Sequence, residues 1–353
     1  MMRSRTLRRI AVLVGVVLLA PGCGSANDDS AATTFDPTTT ITATTAPTTT
    51  AAAPETTITP SLDGAFTETE GFTYFTVGEE AFEADIYVPE GEGPWPVVVM
   101  FHGNSADGKD DLYTIVVAEA AAAAEMYVFV PNWLTGITEI TPESFDAFHA
   151  VANCAVANAQ PNPEDSVPIV VYGFSAGTGP ASRAALDPAG DPVPGCAVEN
   201  APGPITGAVL GDGEYFLHSF VFDRAFAADP DSMQATVAGG VDPSFWPTDM
   251  ETRFFLWVAD EGTLARTFDH PWDETGWLAQ RDPDGSIRDD LDRLGQLDDG
   301  VISFIDQGEF MALRLEEAGT EVTLDYFPGG HQTFDKVPEL VDYLKDAATV
   351  DEP

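Results

Sequence analysis

The chain has 353 residues, enough for one large domain or two ordinary ones. It carries 58 Asp and Glu residues against 15 Lys and Arg residues, so its formal net charge is −43 at neutral pH. Such an excess of negative charge disfavours nucleic acids and anionic membrane surfaces as partners. It suits a salt-rich exterior, where screening removes much of the self-repulsion.

The first residues have the pattern of an export signal. Four arginines within residues 3–9 precede an apolar run over 10–20, which is too short to span a bilayer. The segment APGCGS that follows resembles a bacterial lipobox, which implies that Cys23 is the lipid-bearing first residue of the mature chain. We therefore expect a signal peptide over 1–22 and anchoring to the outer face of a bacterial cell membrane through Cys23, with simple secretion as the alternative.

Residues 23–60 are dominated by Thr, Ala and Pro. A segment with so few groups to bury is expected to be a solvated, extended linker that holds the next domain away from the membrane. The composition becomes globular after Ser61, so we expect one domain over 61–353.

Strands and helices alternate along this domain. Strands are predicted at 72–77, 82–89, 94–103, 126–131, 167–173, 196–203, 252–260 and 321–330, and helices at 111–125, 141–160, 178–186, 302–319 and 336–346. The first two strands pair antiparallel, and the alternation that follows implies parallel βαβ units with right-handed crossovers. The predicted fold class is α/β, with a mostly parallel, doubly wound sheet flanked by helices. Two aromatic-rich insertions, 204–250 and 262–300, are expected to form a cap or pocket wall above the strand ends.

The segment Gly173-Phe174-Ser175-Ala176-Gly177 lies where a buried strand gives way to a helix. A sharp turn there would place Ser175 at the top of the sheet as a nucleophile, with small neighbours giving the backbone room. The helix N-terminus beneath it would favour a developing negative charge. The alternative is an ordinary serine N-cap.

A serine nucleophile needs a histidine base later in the chain. Of the five histidines, His331 lies in the loop directly after the last predicted strand, preceded by two glycines. The alternative interpretation is that His331 is an ordinary, solvent-exposed loop histidine. His149 falls within a predicted helix and is interpreted as structural, whereas His218 and His270 fall in the insertions and could line a pocket.

The base in turn needs a carboxylate that holds its ring. Asp260 is the choice, because it comes directly after a predicted strand between the serine and the histidine. Glu261 beside it is a competitor, and Asp269 and Asp273 in the insertion remain open.

Two backbone N–H groups would complete the site by stabilising an oxyanion. One is that of Ala176, directly after the nucleophile. The other is assigned to Asn104, since Gly103 lets the loop after the strand at 94–103 turn close to Ser175. His102 would then support this loop rather than act as a base.

Two cysteines remain besides Cys23. Cys154 and Cys196 could form one disulfide in an exported chain, which meets oxidising conditions, or stay as two buried thiols. No cysteine pair has metal-site spacing.

The order Ser, acid, His, with HGNS upstream and the motifs GFSAG, VADEG and GGH, resembles the α/β-hydrolase superfamily over residues 65–347. Within it the chain is similar to dienelactone-hydrolase-like and secreted polyester-hydrolase-like branches, which lack the HGGG loop of lipases. It differs from true dienelactone hydrolases, whose nucleophile is Cys where this chain has Ser175. The long segment 262–300 between acid and histidine is a further difference.

The resulting hypothesis is an exported serine hydrolase that cleaves a small-molecule or polymeric carboxylic ester without a cofactor or metal. Trp133 and Phe174 could flank its substrate pocket, although aromatic residues in these places are as often core. A peptidase or acyltransferase with the same triad is the alternative within the fold. A non-catalytic, surface-tethered binding module is the alternative outside enzyme function.

Overall fold

The structure is a computed structural model of the chain. The residues that it describes are 65–77, 80–105, 107–133, 142–160, 167–186, 195–197, 205–213, 215, 246, 250–259, 270–271, 285–294 and 301–349. The predicted signal peptide, the lipid-bearing Cys23 and the linker over 23–60 lie outside these residues. Within the described part, no helix is both long and apolar enough to cross a membrane.

Eight strands of the described chain form one sheet, and two short strands form a second. In chain order the strands are β1 (Phe66–Val77), β2 (Glu80–Pro89), β3 (Val97–Phe101), β4 (Tyr127–Pro131), β5 (Ile169–Phe174), β6 (Ile205–Gly211), β7 (Arg253–Ala259), β8 (His270–Pro271), β9 (Val301–Ile302) and β10 (Val322–Phe327). The order in the large sheet is β1-β2-β4-β3-β5-β6-β7-β10. β2 is antiparallel to both of its neighbours, and the remaining pairs are parallel. The predicted mostly parallel sheet is therefore confirmed.

Helices cover both faces of this sheet. They are α1 (Leu112–Ala123), α2 (Pro142–Ala159), α3 (Thr178–Leu186), α4 (Ser286–Arg293), α5 (Phe304–Glu317) and α6 (Val337–Ala347). Side chains of α1 and α6 join one hydrophobic cluster, and those of α2, α3, α4 and α5 join the other. Alternate residues of the central strands feed the two clusters, and every residue of β3 and β5 is buried. Burial on both faces explains why these strands are continuous apolar runs.

One strand lies elsewhere than predicted. The strand expected at 196–203 is not the sheet neighbour of β5; that position belongs to β6, which falls inside the predicted insertion 204–250. The sequence of β6 does not predict a strand, because it contains two glycines and glycine is depleted in strands. Here they are packing requirements. A Cβ at Gly207 would lie 2.4 Å from the Cβ of Ala347 in α6, and one at Gly211 would lie 2.0 Å from the Trp257 indole.

The segment around Cys196 instead covers an edge of the sheet. Cys196 forms an isolated antiparallel bridge with Phe75 of β1. On either side, Thr76 donates its N–H to the carbonyl of Gly195, and Ala197 donates to that of Tyr74, both at 3.0 Å. Cys196 is also disulfide-bonded to Cys154 of α2, which confirms the predicted pairing.

The insertion at 262–300 contributes two described pieces. Helix α4 lies within it, and its β8 pairs antiparallel with β9, just before α5. The expected cap or pocket wall falls largely outside the described residues. It stays a prediction.

Candidate active site

Ser175 occupies a sharp turn between β5 and α3. Its φ is +53°, in the left-handed region that a residue with a side chain seldom adopts. A short 3-10 turn over Ser175–Gly177 leads directly into α3 at Thr178. The local strand, strained serine and helix therefore match the turn predicted from the motif, and strain of this kind collects at functional sites.

The glycines flanking Ser175 are required by close packing. A Cβ at Gly173 would lie 2.5 Å from the carbonyl oxygen of Gly177. One at Gly177 would lie 2.3 Å from the carbonyl oxygen of Phe101 at the end of β3. Both neighbours are backbone atoms that cannot move aside, so this serine turn fits its place only with glycine at these two positions.

The loop after β3 lies beside the serine, as predicted. A Cβ on Gly103 would be 3.2 Å from the Cβ of Ser175 and 3.3 Å from the carbonyl oxygen of Phe174. Asn104 follows and is exposed, and Ala176 is half-buried at the start of the 3-10 turn. Their backbone N–H groups thus belong to the two segments that meet at Ser175. Their role toward an oxyanion stays a prediction.

The buried side chain of His102 supports the loop after β3 through polar contacts. It is buried, donates from Nδ1 to the carbonyl oxygen of Gly103 at 2.8 Å, and its Nε2 lies 3.2 Å from Oδ1 of Asn132. Burial lowers the pKa of His102, although these two contacts act in the opposite direction. The indole Nε1 of Trp133 donates to the carbonyl oxygen of His102 at 2.9 Å. Trp133 is 2% exposed and supports the loop; its predicted place in a pocket wall stays a prediction.

A nearly buried ion pair anchors the far end of the same loop. Lys109, in a 3-10 turn over Gly108–Asp110, lies 2.8 Å from Oδ2 of Asp85 in β2. The two side chains are 10% and 2% exposed. Burial works against the charge on Lys109, but the hydrogen bonds and charges of Asp85 and Asp110 together outweigh it and raise the pKa of Lys109. The other oxygen of Asp85 accepts the N–H of Gly71 at 2.9 Å, so the pair ties the loop to two strands.

His331 lies in the loop after β10 and contacts a buried carboxylate. Its Nδ1 is 2.5 Å from Oδ2 of Asp212, whose side chain is fully buried. Oδ1 of Asp212 accepts the backbone N–H of Ala259 at 3.0 Å. The backbone N–H of Asp212 donates to the carbonyl oxygen of Trp257 at 2.8 Å. The carboxylate is thereby held in one orientation between the ends of β6 and β7, and it fixes the orientation of the imidazole.

A contact of the kind predicted for Asp260 is made by Asp212, and the role of Asp260 itself stays a prediction. Asp212 directly follows β6 and has a φ of +47°, a conformation that Asp tolerates better than most residues. Asp260, Glu261, Asp269 and Asp273 lie outside the described residues. The signal used to choose Asp260, a carboxylate directly after a buried strand, is equally present at Gly211-Asp212 once β6 is recognised.

Two phenylalanine rings enclose the imidazole of His331. The ring centroid of Phe174 lies 4.7 Å away at an interplanar angle of 40°, and that of Phe304 lies 5.0 Å away and is stacked at 10°. Phe174 is 4% exposed and also packs on Tyr113 and Trp257. Phe174 therefore links the serine turn to the histidine; the structure gives it this contact, and its predicted pocket role stays a prediction.

The other histidines singled out from the sequence belong to other elements or lie outside the described residues. His149 belongs to α2, as predicted, and His270 belongs to β8, where it pairs with Ile302. His218 lies outside the described residues. Across the part of the chain that the structure describes, no cluster of three or more His, Cys, Asp or Glu side chains could hold a metal ion.

Comparison with known proteins identifies the fold. No family model matches the sequence, and no curated protein sequence matches it either. Several solved structures are similar. A truncated carbohydrate esterase from gut microbiota is 14% identical with a TM-score of 0.51, covering 82% of this chain and 99% of its own. A candidate thioesterase from Silicibacter sp. TM1040 is 19% identical with a TM-score of 0.50, covering 82% and 87%.

An acetyl ester-xyloside bifunctional hydrolase from Caldicellulosiruptor lactoaceticus is 15% identical with a TM-score of 0.50, covering 77% of this chain and 87% of its own. Identities this low speak for the fold alone, and they leave the predicted dienelactone-hydrolase-like branch as a prediction. The strand order, the helices on both faces and these similarities agree. The chain has the α/β-hydrolase fold.

Proposed function

We propose that this protein is a serine hydrolase that cleaves carboxylic esters, with Ser175 as nucleophile, His331 as base and Asp212 as the carboxylate that holds the base. The observation that carries the proposal is the hydrogen bond between Nδ1 of His331 and the buried Asp212. The imidazole of His331 also contacts Phe174, the residue directly before the serine held at positive φ. A histidine bound through Nδ1 has the tautomer and orientation that leave Nε2 for proton exchange.

The chemistry follows from these positions. As Oγ of Ser175 attacks the ester carbonyl carbon, Nε2 of His331 takes its proton and then delivers it to the leaving alcohol. Asp212 stabilises the imidazolium that forms in between. The N–H groups of Ala176 and Asn104 stabilise the tetrahedral oxyanion, a contribution worth about 10²- to 10³-fold in kcat per donor. Water, deprotonated by His331, then attacks the acyl carbonyl carbon. As its bond to Oγ breaks, His331 returns the proton to Ser175 and the carboxylic acid leaves. None of these steps requires a metal or an organic cofactor.

Two observations bear on the substrate. The similar structures are a candidate thioesterase, a carbohydrate esterase and an acetyl ester-xyloside hydrolase, which supports an acyl carbonyl as the reacting group. The net charge of −43 repels strongly anionic molecules and so favours neutral esters, whether small or polymeric.

Hydrolysis of a chromogenic ester series, from acetate to long acyl chains, tests the proposal. The assay compares the wild-type protein with Ser175→Ala at low and high salt. We expect kcat to fall by about 10⁶-fold, as for loss of a serine nucleophile elsewhere. Ser182→Ala is the matched control, because Ser182 lies in the adjoining α3 and donates to the carbonyl of Gly179. It should leave kcat unchanged.

Other results would redirect the proposal. Equal activity of wild type and Ser175→Ala would remove Ser175 from the role of nucleophile. A folded wild-type protein that cleaves amides, or transfers acyl groups to an alcohol, and leaves every ester intact would establish the peptidase or acyltransferase alternative. A protein that only binds acyl compounds would be the surface-tethered binding module.

We also propose that the protein is exported and anchored through Cys23. The basic and apolar N-terminus supports this, and the Cys154–Cys196 disulfide fits an oxidising compartment. Expression in a bacterial host with labelled palmitate should give a labelled membrane-bound protein. Cys23→Ser should abolish the label. A labelled Cys23→Ser protein, or an unlabelled wild type released to the medium, would exclude the anchor.

A further inference from the structure

The first turn of α5 lies against His331. Phe304, the first residue of α5, is 2% exposed and stacks on the imidazole at 5.0 Å with only 10° between the ring planes. Phe174 contacts the imidazole as well, at 4.7 Å. Rotation of the imidazole about its Cβ–Cγ bond would drive its edge into the face of Phe304. The stacked ring therefore limits the plane that His331 can adopt.

The same turn also reaches the segment that carries Asp212. Gln307 is 1% exposed, and its Oε1 accepts the backbone N–H of Tyr215 at 3.0 Å. Tyr215 follows Asp212 by three residues, and Gly213 between them packs so tightly that a Cβ there would lie 2.8 Å from Cζ of Tyr215. Gln307 therefore holds the backbone at Tyr215, three residues after Asp212.

Two features hold this part of α5 in place. A Cβ on Gly308 would lie 2.5 Å from Cγ1 of Val258, so the missing side chain lets the helix rest directly on β7. Gly308 and Phe304 are four residues apart and share one face of the helix. The helix start is fixed by a capping box, in which Asp306 donates its N–H to Oγ of Ser303 at 3.2 Å and its carboxylate accepts the N–H of Ser303.

We infer that Phe304 and Gln307 are positioning residues for the His331–Asp212 pair, Phe304 through the plane of the imidazole and Gln307 through the backbone at Tyr215. The inference rests on the proposed function, because it assigns a role within the same site. A positioning role can be distinguished from ordinary core packing by the quantity that a substitution changes. A core residue of α5 contributes to the free energy of unfolding, whereas a positioning residue changes the orientation of the imidazole and hence kcat.

Phe304→Leu tests this, since leucine keeps an apolar side chain but loses the flat ring face. Phe310→Leu is the matched control; Phe310 lies in the same helix, is fully buried, and has its ring under the Arg314 guanidinium. We expect Phe304→Leu to lower ester kcat by about 10- to 100-fold, as small misplacements of a catalytic group do, with KM changed by less than about twofold. Phe310→Leu should lower Tm comparably and leave kcat near the wild-type value.

A proton NMR signal provides a readout that needs no substrate. The Nδ1–H of His331, bonded to Asp212 at 2.5 Å, should give a low-field resonance that Asp212→Asn abolishes. Phe304→Leu should shift or broaden this resonance, and Phe310→Leu should not.

Gln307→Met tests the second positioning residue, because it leaves the N–H of Tyr215 without its acceptor. It should shift the same resonance and lower kcat by about 3- to 10-fold, since the catalytic groups are displaced less than in Phe304→Leu.

Two results would overturn the inference. One is a Phe304→Leu protein with wild-type kcat and an unmoved resonance. The other is an equal loss of kcat in Phe304→Leu and Phe310→Leu, which would reduce both residues to core packing. If the wild type cleaves no ester, the proposed function fails by itself, and the resonance still shows whether Phe304 and Gln307 orient His331.

Discussion

Two loops contact the serine turn, one through Gly103 and the other through His331, and they are held by different kinds of interaction. The loop after β3 is fixed by directional polar contacts. His102 donates from Nδ1 to the carbonyl oxygen of Gly103, Trp133 donates to the carbonyl oxygen of His102, and Lys109 pairs with Asp85. In the loop after β10, the imidazole of His331 is held by contacts with the rings of Phe174 and Phe304 and by a hydrogen bond to Asp212.

This difference matches the tasks proposed for the two loops. A backbone N–H that stabilises an oxyanion has to point in one fixed direction, and buried hydrogen bonds and ion pairs impose direction. A base alternates between a neutral and a charged ring. Aromatic faces accept either form, and the charged form also gains from their electron-rich surface. The carboxylate of Asp212 adds the one directional contact that sets the tautomer.

The largest effect should come from the directional contact of the histidine loop. Asp212→Asn keeps the shape but no longer fixes the tautomer of His331, so we expect kcat to fall by about 10⁴-fold. Asp260→Asn is the control and should change kcat by less than about threefold if Asp212 alone holds the ring. A large loss in Asp260→Asn with a small one in Asp212→Asn would return the role to Asp260. Steady-state kinetics on a chromogenic ester would decide.

Removing the cation of the buried ion pair should be the next largest effect. Lys109→Met leaves Asp85 buried without its partner, a change that typically costs about 3–5 kcal/mol in the free energy of unfolding. Lys336→Met removes a lysine from an exposed pair with Glu339 and should leave the stability near the wild-type value. Urea unfolding measures both. Similar stabilities for the two variants would show that Lys109 does not anchor the loop.

A smaller effect is expected where a single hydrogen bond supports the loop. Trp133→Phe removes the donor to the carbonyl oxygen of His102, which stays buried, at a cost of about 1–3 kcal/mol beyond the lost volume. Trp246→Phe is the volume control, since the Nε1 of this buried indole has no hydrogen-bond partner within the described chain. Equal destabilisation of the two variants would assign the whole effect to packing.

The smallest effect concerns pH. Because burial lowers the pKa of His102, the unfolded chain binds a proton there that the folded protein rejects. The stability that neutral His102 contributes is therefore complete above the unfolded value of about 6.5 and is lost as the pH falls below it. Between pH 7 and 5, the free energy of unfolding should fall more steeply for the wild type than for His102→Gln. Parallel curves for the two proteins would contradict this.

The local parts of the site could be predicted from the sequence, and the long-range parts could not. Ser175 and the loop of His331 each show in a short pattern that ends a strand. The carboxylate that contacts His331 does not show in such a pattern. Asp212 lies 119 residues earlier and follows a strand whose glycines are untypical of strands. Those glycines exist because Trp257 and helix α6 pack onto them, which no local pattern reveals. The place of Phe304 depends in the same way on where α5 comes to rest.

The bridge between Cys196 and Phe75 occupies backbone groups at the edge of the sheet, where an unpaired strand could otherwise add a strand of another molecule. β1 lies at one end of the sheet, and its outer backbone groups at Tyr74 and Thr76 are the kind that recruit a strand from another molecule. They are already bonded to residues 195–197, and the disulfide to α2 keeps those residues there. A reducing environment would loosen this cover without touching Ser175, His331 or Asp212. Reduction of the disulfide is therefore expected to expose edge groups of β1 and to leave the proposed catalytic residues in place.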